Sequence, residues 1–257
     1  MKNLVNIQSL STGYRLKRGK TRLLHQNLSV TLHQGELVGV LGPNGVGKST
    51  LLKTLLGFIP ALKGEISYGG TRLKDISVKE MAARVSVVLT TRIDDIYLTT
   101  EEVIHTARYP YISLVGKPSE KDLEMVKNAV LLTGIADLLH RKFYTLSDGE
   151  KQRVMIARAL AQDTPLIFLD EPTAFIDSPG RVELMHLLRA ISRQGKTILM
   201  TIHDVELALQ FADTLWLLGK DGSFETGIPG DLINKGSINK LFDRGNVKFN
   251  SDKRRFV

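Results

Sequence analysis

The chain has 257 residues, 42% of them apolar, and no cysteine. That is material for one large α/β domain with a sizeable core and argues against disorder over most of the length. It excludes disulfides and thiolate metal sites, and it fits a reducing compartment. Lys and Arg number 35 against 27 Asp and Glu, for a net charge of +8, which suits a polyanionic ligand such as a nucleotide, a nucleic acid or lipid headgroups without choosing among them.

The N-terminus, Met1-Lys2-Asn3-Leu4-Val5, has no apolar run of signal-peptide length. No later run approaches the ~20 apolar residues that span a bilayer, so a soluble chain is expected, with any membrane role supplied by a partner. Leu28, Val30 and Leu32 alternate with Ser29, Thr31 and His33, the period of a half-buried antiparallel strand. Leu37-Val38-Gly39-Val40-Leu41 reads as a buried strand stopped by Gly42-Pro43. Leucines at 51, 52, 55 and 56 then take helical spacing. Residues 64–68 and 85–89 are further strand candidates.

From about residue 92 the pattern turns helical. Thr99 and Glu102 are spaced as a capping box, Ser119 opens a second helix with Leu123, Val126 and Val130 on one face, and a third starts near Ser147. We expect a helical segment over about 92–162, inserted in a single domain spanning 1–257. Strands resume at 166–169 and 197–200, alternate with helices at about 180–193 and 204–211, and so predict a parallel sheet. A small hairpin is expected over 214–228, and one short helix after it.

Gly42-Pro43-Asn44-Gly45-Val46-Gly47-Lys48-Ser49-Thr50 matches the phosphate-binding pattern GxxxxGK[ST] between a strand and a helix. Glycines there let successive N–H groups cradle phosphate oxygens, and the helix N-terminus adds its dipole. Lys48 is expected on the β/γ-phosphates and the Ser49 hydroxyl on Mg²⁺, so ATP and Mg²⁺ are the expected cofactors. Asp170-Glu171 closes a buried strand. Such a pair can hold Mg²⁺ through water (Asp170) and polarise an attacking water (Glu171).

Leu146-Ser147-Asp148-Gly149-Glu150 admits a local reading, because Ser147 and Glu150 make a capping box. In order with the other motifs, the segment resembles the LSGGQ signature of ABC-type ATPases. The resemblance runs from Leu4 to about Phe242 and implies an α/β fold: a P-loop core of mostly parallel sheet, an N-terminal antiparallel β part and a helical insert. It implies that His203, in Thr201-Ile202-His203-Asp204, is the histidine that senses the γ-phosphate, although a strand-end histidine is also compatible with a structural role. Tyr14 resembles the aromatic that stacks on adenine, with an ordinary half-buried tyrosine as the alternative. Asp177 lies where the family has a dimer-contact loop. The family's pairing implies a head-to-tail homodimer, each ATP sandwiched between one copy's P-loop and the other's Ser147, Asp148, Gly149 and Glu150. It also implies a peripheral location on the cytoplasmic face of the inner (plasma) membrane, bound to an integral permease and served indirectly by a substrate-binding protein, with no nucleic acid expected.

Two positions depart from the family. Asp148 replaces a signature glycine, and Thr90 stands where a glutamine usually contacts the metal and water. A hydroxyl as short as that of Thr90 would reach the ion only through water. Arg108-Tyr109-Pro110-Tyr111 is similar to a segment of importers for ferric siderophores, haem and cobalamin, and a groove for a permease helix is expected near residues 90–112. Competing readings are transport of another substrate, an ABC ATPase without a permease that acts on ribosomes or DNA, and a nucleotide-gated scaffold that scarcely turns over. Glu171 speaks against the last.

Overall fold

The computed structural model describes residues 2–17, 20–90, 97–112 and 116–257. The chain divides into two compact units, one built from residues 1–76 and 189–257 and the other from residues 77–188.

The first unit carries two sheets. β1 (Asn3–Arg15) and β2 (Thr21–His33) form a long antiparallel ribbon, which β4 (Lys63–Tyr68) and the two-residue β5 (Thr71–Arg72) extend into a four-stranded sheet of order β2-β1-β4-β5. The β1–β2 register shifts at four places along the ribbon. Ser9 and Asn27 adopt left-handed φ values of 46° and 55°, and two of the shifts lie at Ile7/Leu10 and Leu10/Thr12. Each such bulge turns the side chains beyond it to the other face.

β3 (Leu37–Leu41) is buried at every residue. It runs parallel to β8 (Thr197–Thr201) on one side and β9 (Thr214–Leu218) on the other. A strand flanked and covered in this way needs an unbroken apolar run. β10 (Phe224–Gly227) pairs antiparallel with β9, as the hairpin expectation required. α1 (Lys48–Leu55) follows β3, and α7 (Val205–Phe211) follows β8 with Asp204 as N-cap. The C-terminal stretch holds more than the one helix expected: α8 (Pro229–Asn234), α9 (Ser237–Phe242), and a small hairpin of β11 (Phe249–Asn250) with β12 (Arg255–Phe256). An edge-to-face contact of Phe249 and Phe256 at 5.4 Å closes that hairpin. Two apolar anchors within eight residues are too few to show as a period.

In the second unit, α2 (Val78–Ala82) precedes β6 (Val85–Val88), which runs parallel to β7 (Leu166–Asp170). Between them lie α3 (Thr100–His105), α4 (Glu120–Thr133) and α5 (Asp148–Ala161). α4 and α3 both pack on α5. All three start with formed capping boxes, at Thr99/Glu102, Ser119/Asp122 and Ser147/Glu150, and α4 ends on the left-handed Gly134. Val126 and Val130 face the core, but Leu123 is 50% exposed. The inward position of the first turn is taken by Asp122, which is buried against Arg108. α6 (Ser178–Arg193) carries the boundary between the units, at Arg189. No helix among the described residues is long and apolar enough to cross a membrane.

Candidate nucleotide site

In the first unit, β3 delivers the chain into a loop over residues 42–47 that ends at the left-handed Gly47 (φ 106°), the N-cap of α1. Two glycines here are sterically required. A Cβ on Gly42 would lie 2.6 Å from the Leu218 carbonyl oxygen, and one on Gly47 would lie 3.0 Å from both His25 Cε1 and Leu24 Cδ1. α1 has no acidic residue in its first turn, so its N–H groups keep their positive end for an anion.

The Lys48 side chain is buried. Its Nζ donates to the Gly42 carbonyl at 2.8 Å and lies 3.4 Å from His203 Nδ1. The ammonium is thus folded back over the loop, and His203, exposed at the end of β8, is brought to it. Tyr14 is 40% exposed, and its hydroxyl is 2.7 Å from Thr50 Oγ1 on α1. This bond ties the ribbon to the first turn of α1. The unit therefore gathers Tyr14, the loop, Lys48 and His203.

In the second unit, β7 ends at Asp170, which is buried. Glu171 follows in a left-handed conformation, φ 52°. That conformation costs about 1 kcal/mol for a non-glycine residue and turns the chain out of the strand immediately after the acid pair. Thr90, just past β6, donates its hydroxyl to the Asp170 carbonyl at 2.6 Å. Its proton is therefore committed to the backbone beside the acid pair. Thr91 and Arg92, which complete that loop, lie outside the described residues.

Ser147 caps α5. Its hydroxyl accepts from the Glu150 N–H at 3.3 Å, and the Glu150 carboxylate accepts from the Ser147 N–H at 2.7 Å and from Arg141 at 2.8 Å. The Ser147 bonds and then the Arg141 charge hold the Glu150 carboxyl below its ordinary range. The local capping reading of Ser147 is thus realised. Asp148 is exposed beside it. Asp177 precedes α6, close against Gly180, where an added Cβ would lie 2.6 Å from Asp177 Oδ1.

Sequence reasoning missed two buried polar groups. Arg108 is an ion-pair hub. It donates to Asp122 at 2.8 Å and to the Ala161 carbonyl at 2.8 Å, and its guanidinium lies 4.1 Å from the Tyr111 ring centre. Asp122 is held down at about 2, first by the Ser119 hydroxyl and N–H and further by Arg108. His25, fully buried beneath Gly47, is the other. A polar residue at an inward helix position could have revealed the Asp122 pairing; for His25 no periodic signal exists.

The chain matches the family model described as ABC transporter over residues 25–174. It is 33% identical to the achromobactin transport ATP-binding protein of Dickeya dadantii over 93% of this chain and 87% of that one. It is 32% identical to the iron(3+)-hydroxamate import ATP-binding protein of Bacillus subtilis over 93% and 88%. Among solved structures, a dimeric ATP-binding cassette in a post-hydrolysis state with ADP and phosphate superposes with a TM-score of 0.72 at 26% identity, over 86% of this chain and 98% of that one. A loop with a buried lysine, a strand-end acid pair and a capped signature helix, in that company, make the chain a member of the ABC transporter family, one of its ATP-binding and ATP-hydrolysing subunits.

Proposed function

We propose that the chain drives import of an iron-siderophore, haem or cobalamin type substrate through a partner permease, on the cytoplasmic face of the plasma membrane. Its relatives named for achromobactin transport and iron(3+)-hydroxamate import support the substrate class. The observation that carries the mechanism is the Lys48 ammonium, buried at the loop, 2.8 Å from Gly42 O and within 3.4 Å of His203. An anion entering the loop would find the loop's N–H groups, the α1 N-terminus and this ammonium together.

In this reading Tyr14 stacks on the adenine. Gly42, Pro43, Asn44, Gly45, Val46 and Gly47 cradle the phosphates with Lys48 and Thr50, and His203 contacts the γ-phosphate. Glu171 orients and deprotonates the attacking water. The oxygen donors Ser49 and Asp170 suit Mg²⁺, which keeps waters and phosphate ligands rather than a protein cage. When bound, the ion would neutralise charge on the phosphates. Thr90 acts on the Asp170 backbone rather than on the ion.

One chain has one P-loop and one signature. Two copies would therefore pair head to tail, so that the α5 N-terminus at Ser147, Asp148, Gly149 and Glu150 of one meets the nucleotide of the other, with Asp177 at the contact. Exposed Tyr97 (74%), Tyr109 (69%) and Tyr144 (47%) on the second unit support a docking surface for the permease. The test is purification from membranes of cells that express the chain with an affinity tag. A polytopic permease recovered in stoichiometric amount, with ATPase activity that rises on reconstitution, is the expected result. Recovery with ribosomes or DNA and no permease would overturn the transport reading.

A further inference from the structure

His25 sits on β2 directly opposite Thr12 of β1 and is fully buried. Its Nδ1 is 2.7 Å from the Thr12 hydroxyl. Its Cε1 and Nε2 face Gly47, at 3.0 and 3.4 Å from where a Cβ would stand on that glycine. Nε2 is the one buried side-chain nitrogen or oxygen among the described residues without a partner at good hydrogen-bond geometry, and the ring makes only a looser contact with the Val46 backbone. A buried polar atom left unpaired is destabilising, and such atoms are rare for that reason.

The surroundings say what this atom is for. Burial pushes the ring's pKa down to about 4, partly opposed by the neighbouring Val46 carbonyl, and no charged group contributes. The imidazole is therefore neutral under working conditions and carries one proton. With the Thr12 hydroxyl donating to Nδ1, that proton lies on Nε2, the tautomer that suits a carbonyl partner. The carbonyl at hand belongs to Val46, whose peptide leads into Gly47 and so into the phosphate cradle.

We propose that His25 is a positioning residue for the phosphate-binding loop: held in one tautomer by Thr12, it buttresses Gly47 from below, and its Nε2–H closes onto the Val46 carbonyl as the loop tightens on ATP. The geometry leaves that bond weak, and as it strengthens on the ATP-loaded loop its free energy goes into affinity rather than into the stability of the fold. The inference rests on the loop being the ATP site, as proposed above.

The test uses full-length His25→Leu, His25→Gln and Thr12→Val, with ATP affinity measured by calorimetry and thermal unfolding of the nucleotide-free proteins. His25→Leu should melt at or above the wild-type temperature, because it removes the poorly paired nitrogen, yet bind ATP about three- to tenfold more weakly, the weight of one hydrogen bond. Its kcat at saturating ATP should stay within about twofold. His25→Gln, whose side-chain amide can reach a carbonyl, should recover most of the affinity, and Thr12→Val should fall between. In the wild-type chain, the ¹⁵N-labelled His25 Nε2–H resonance should move downfield on adding a non-hydrolysable ATP analogue. Unchanged affinity in His25→Leu, an unmoved resonance, or weaker binding that tracks a lower melting temperature and is not recovered by glutamine would each overturn the proposal. Lys48→Ala separates the two layers: if it leaves ATP affinity intact, the loop assignment fails, whereas a failure confined to the His25 variants removes only the buttress.

Discussion

Lys48 and His25 show how differently one loop is served from its two sides. Lys48 supplies charge, folded against Gly42 O and beside His203. Removing that charge leaves the cradle with backbone dipoles alone, so Lys48→Ala should weaken ATP binding at least about 100-fold, as expected for the loss of a charged hydrogen-bond donor of roughly 2–3 kcal/mol. Fluorescent-nucleotide titration measures it, and undiminished affinity would refute the assignment. His25 supplies neutrality. The unfolded ring takes its proton near pH 6.5, but the folded one refuses it until about pH 4. Between those values the unfolded state binds more protons, so stability rises with pH there. The contribution is complete above pH 6.5 and is lost as pH falls toward 4, about 3 kcal/mol in all. Urea unfolding at pH 7 and pH 5 should show wild type losing about 2 kcal/mol more than His25→Leu over that interval. Equal losses would mean that the ring is not sealed.

At the scale of elements, the helices of the second unit hang on a buried ion pair. Arg108→Ala would strand the Asp122 carboxylate and free the Ala161 carbonyl, at a cost of about 3–5 kcal/mol. Arg108→Met with Asp122→Leu should recover much of this, and thermal unfolding of the three variants distinguishes the outcomes. Gly47→Ala meets both a left-handed φ of 106° and a 3.0 Å contact and should lower the melting temperature by the equivalent of about 1–3 kcal/mol. The same elements explain what the sequence could and could not reveal. β3, α3, α4 and α5 were legible because apolar runs, helical spacing and capping boxes are local signals. The burial of His25 was not. Extending the alternation of Leu28, Val30 and Leu32 places Leu24 and Gln26 inward and His25 outward. The left-handed Asn27 inserts a residue, and the parity reverses. Leu123 misled for a related reason, since an ion pair had claimed the inward position in its turn. The P-loop was legible as chemistry from its residues alone, whereas the partner of Thr90, the Asp170 backbone, depends on β6 lying beside β7, a non-local pairing that no spacing encodes.

At the scale of the whole molecule, a single copy holds one of each part. Each copy offers one phosphate loop, one acid pair and one signature helix, and no helix among its described residues is long and apolar enough to cross a membrane. The central claim is that hydrolysis needs Glu171 and a second copy of the chain. The most direct measurement is the solution mass of Glu171→Gln with Mg²⁺ and ATP, by light scattering after size exclusion. Glu171→Gln is expected to retain ATP without turnover and to show a mass twice the 28.6 kDa of one chain, reverting to one chain when nucleotide is removed. A variant that hydrolyses ATP at the wild-type rate, or that binds ATP fully and stays a single chain, would contradict the claim.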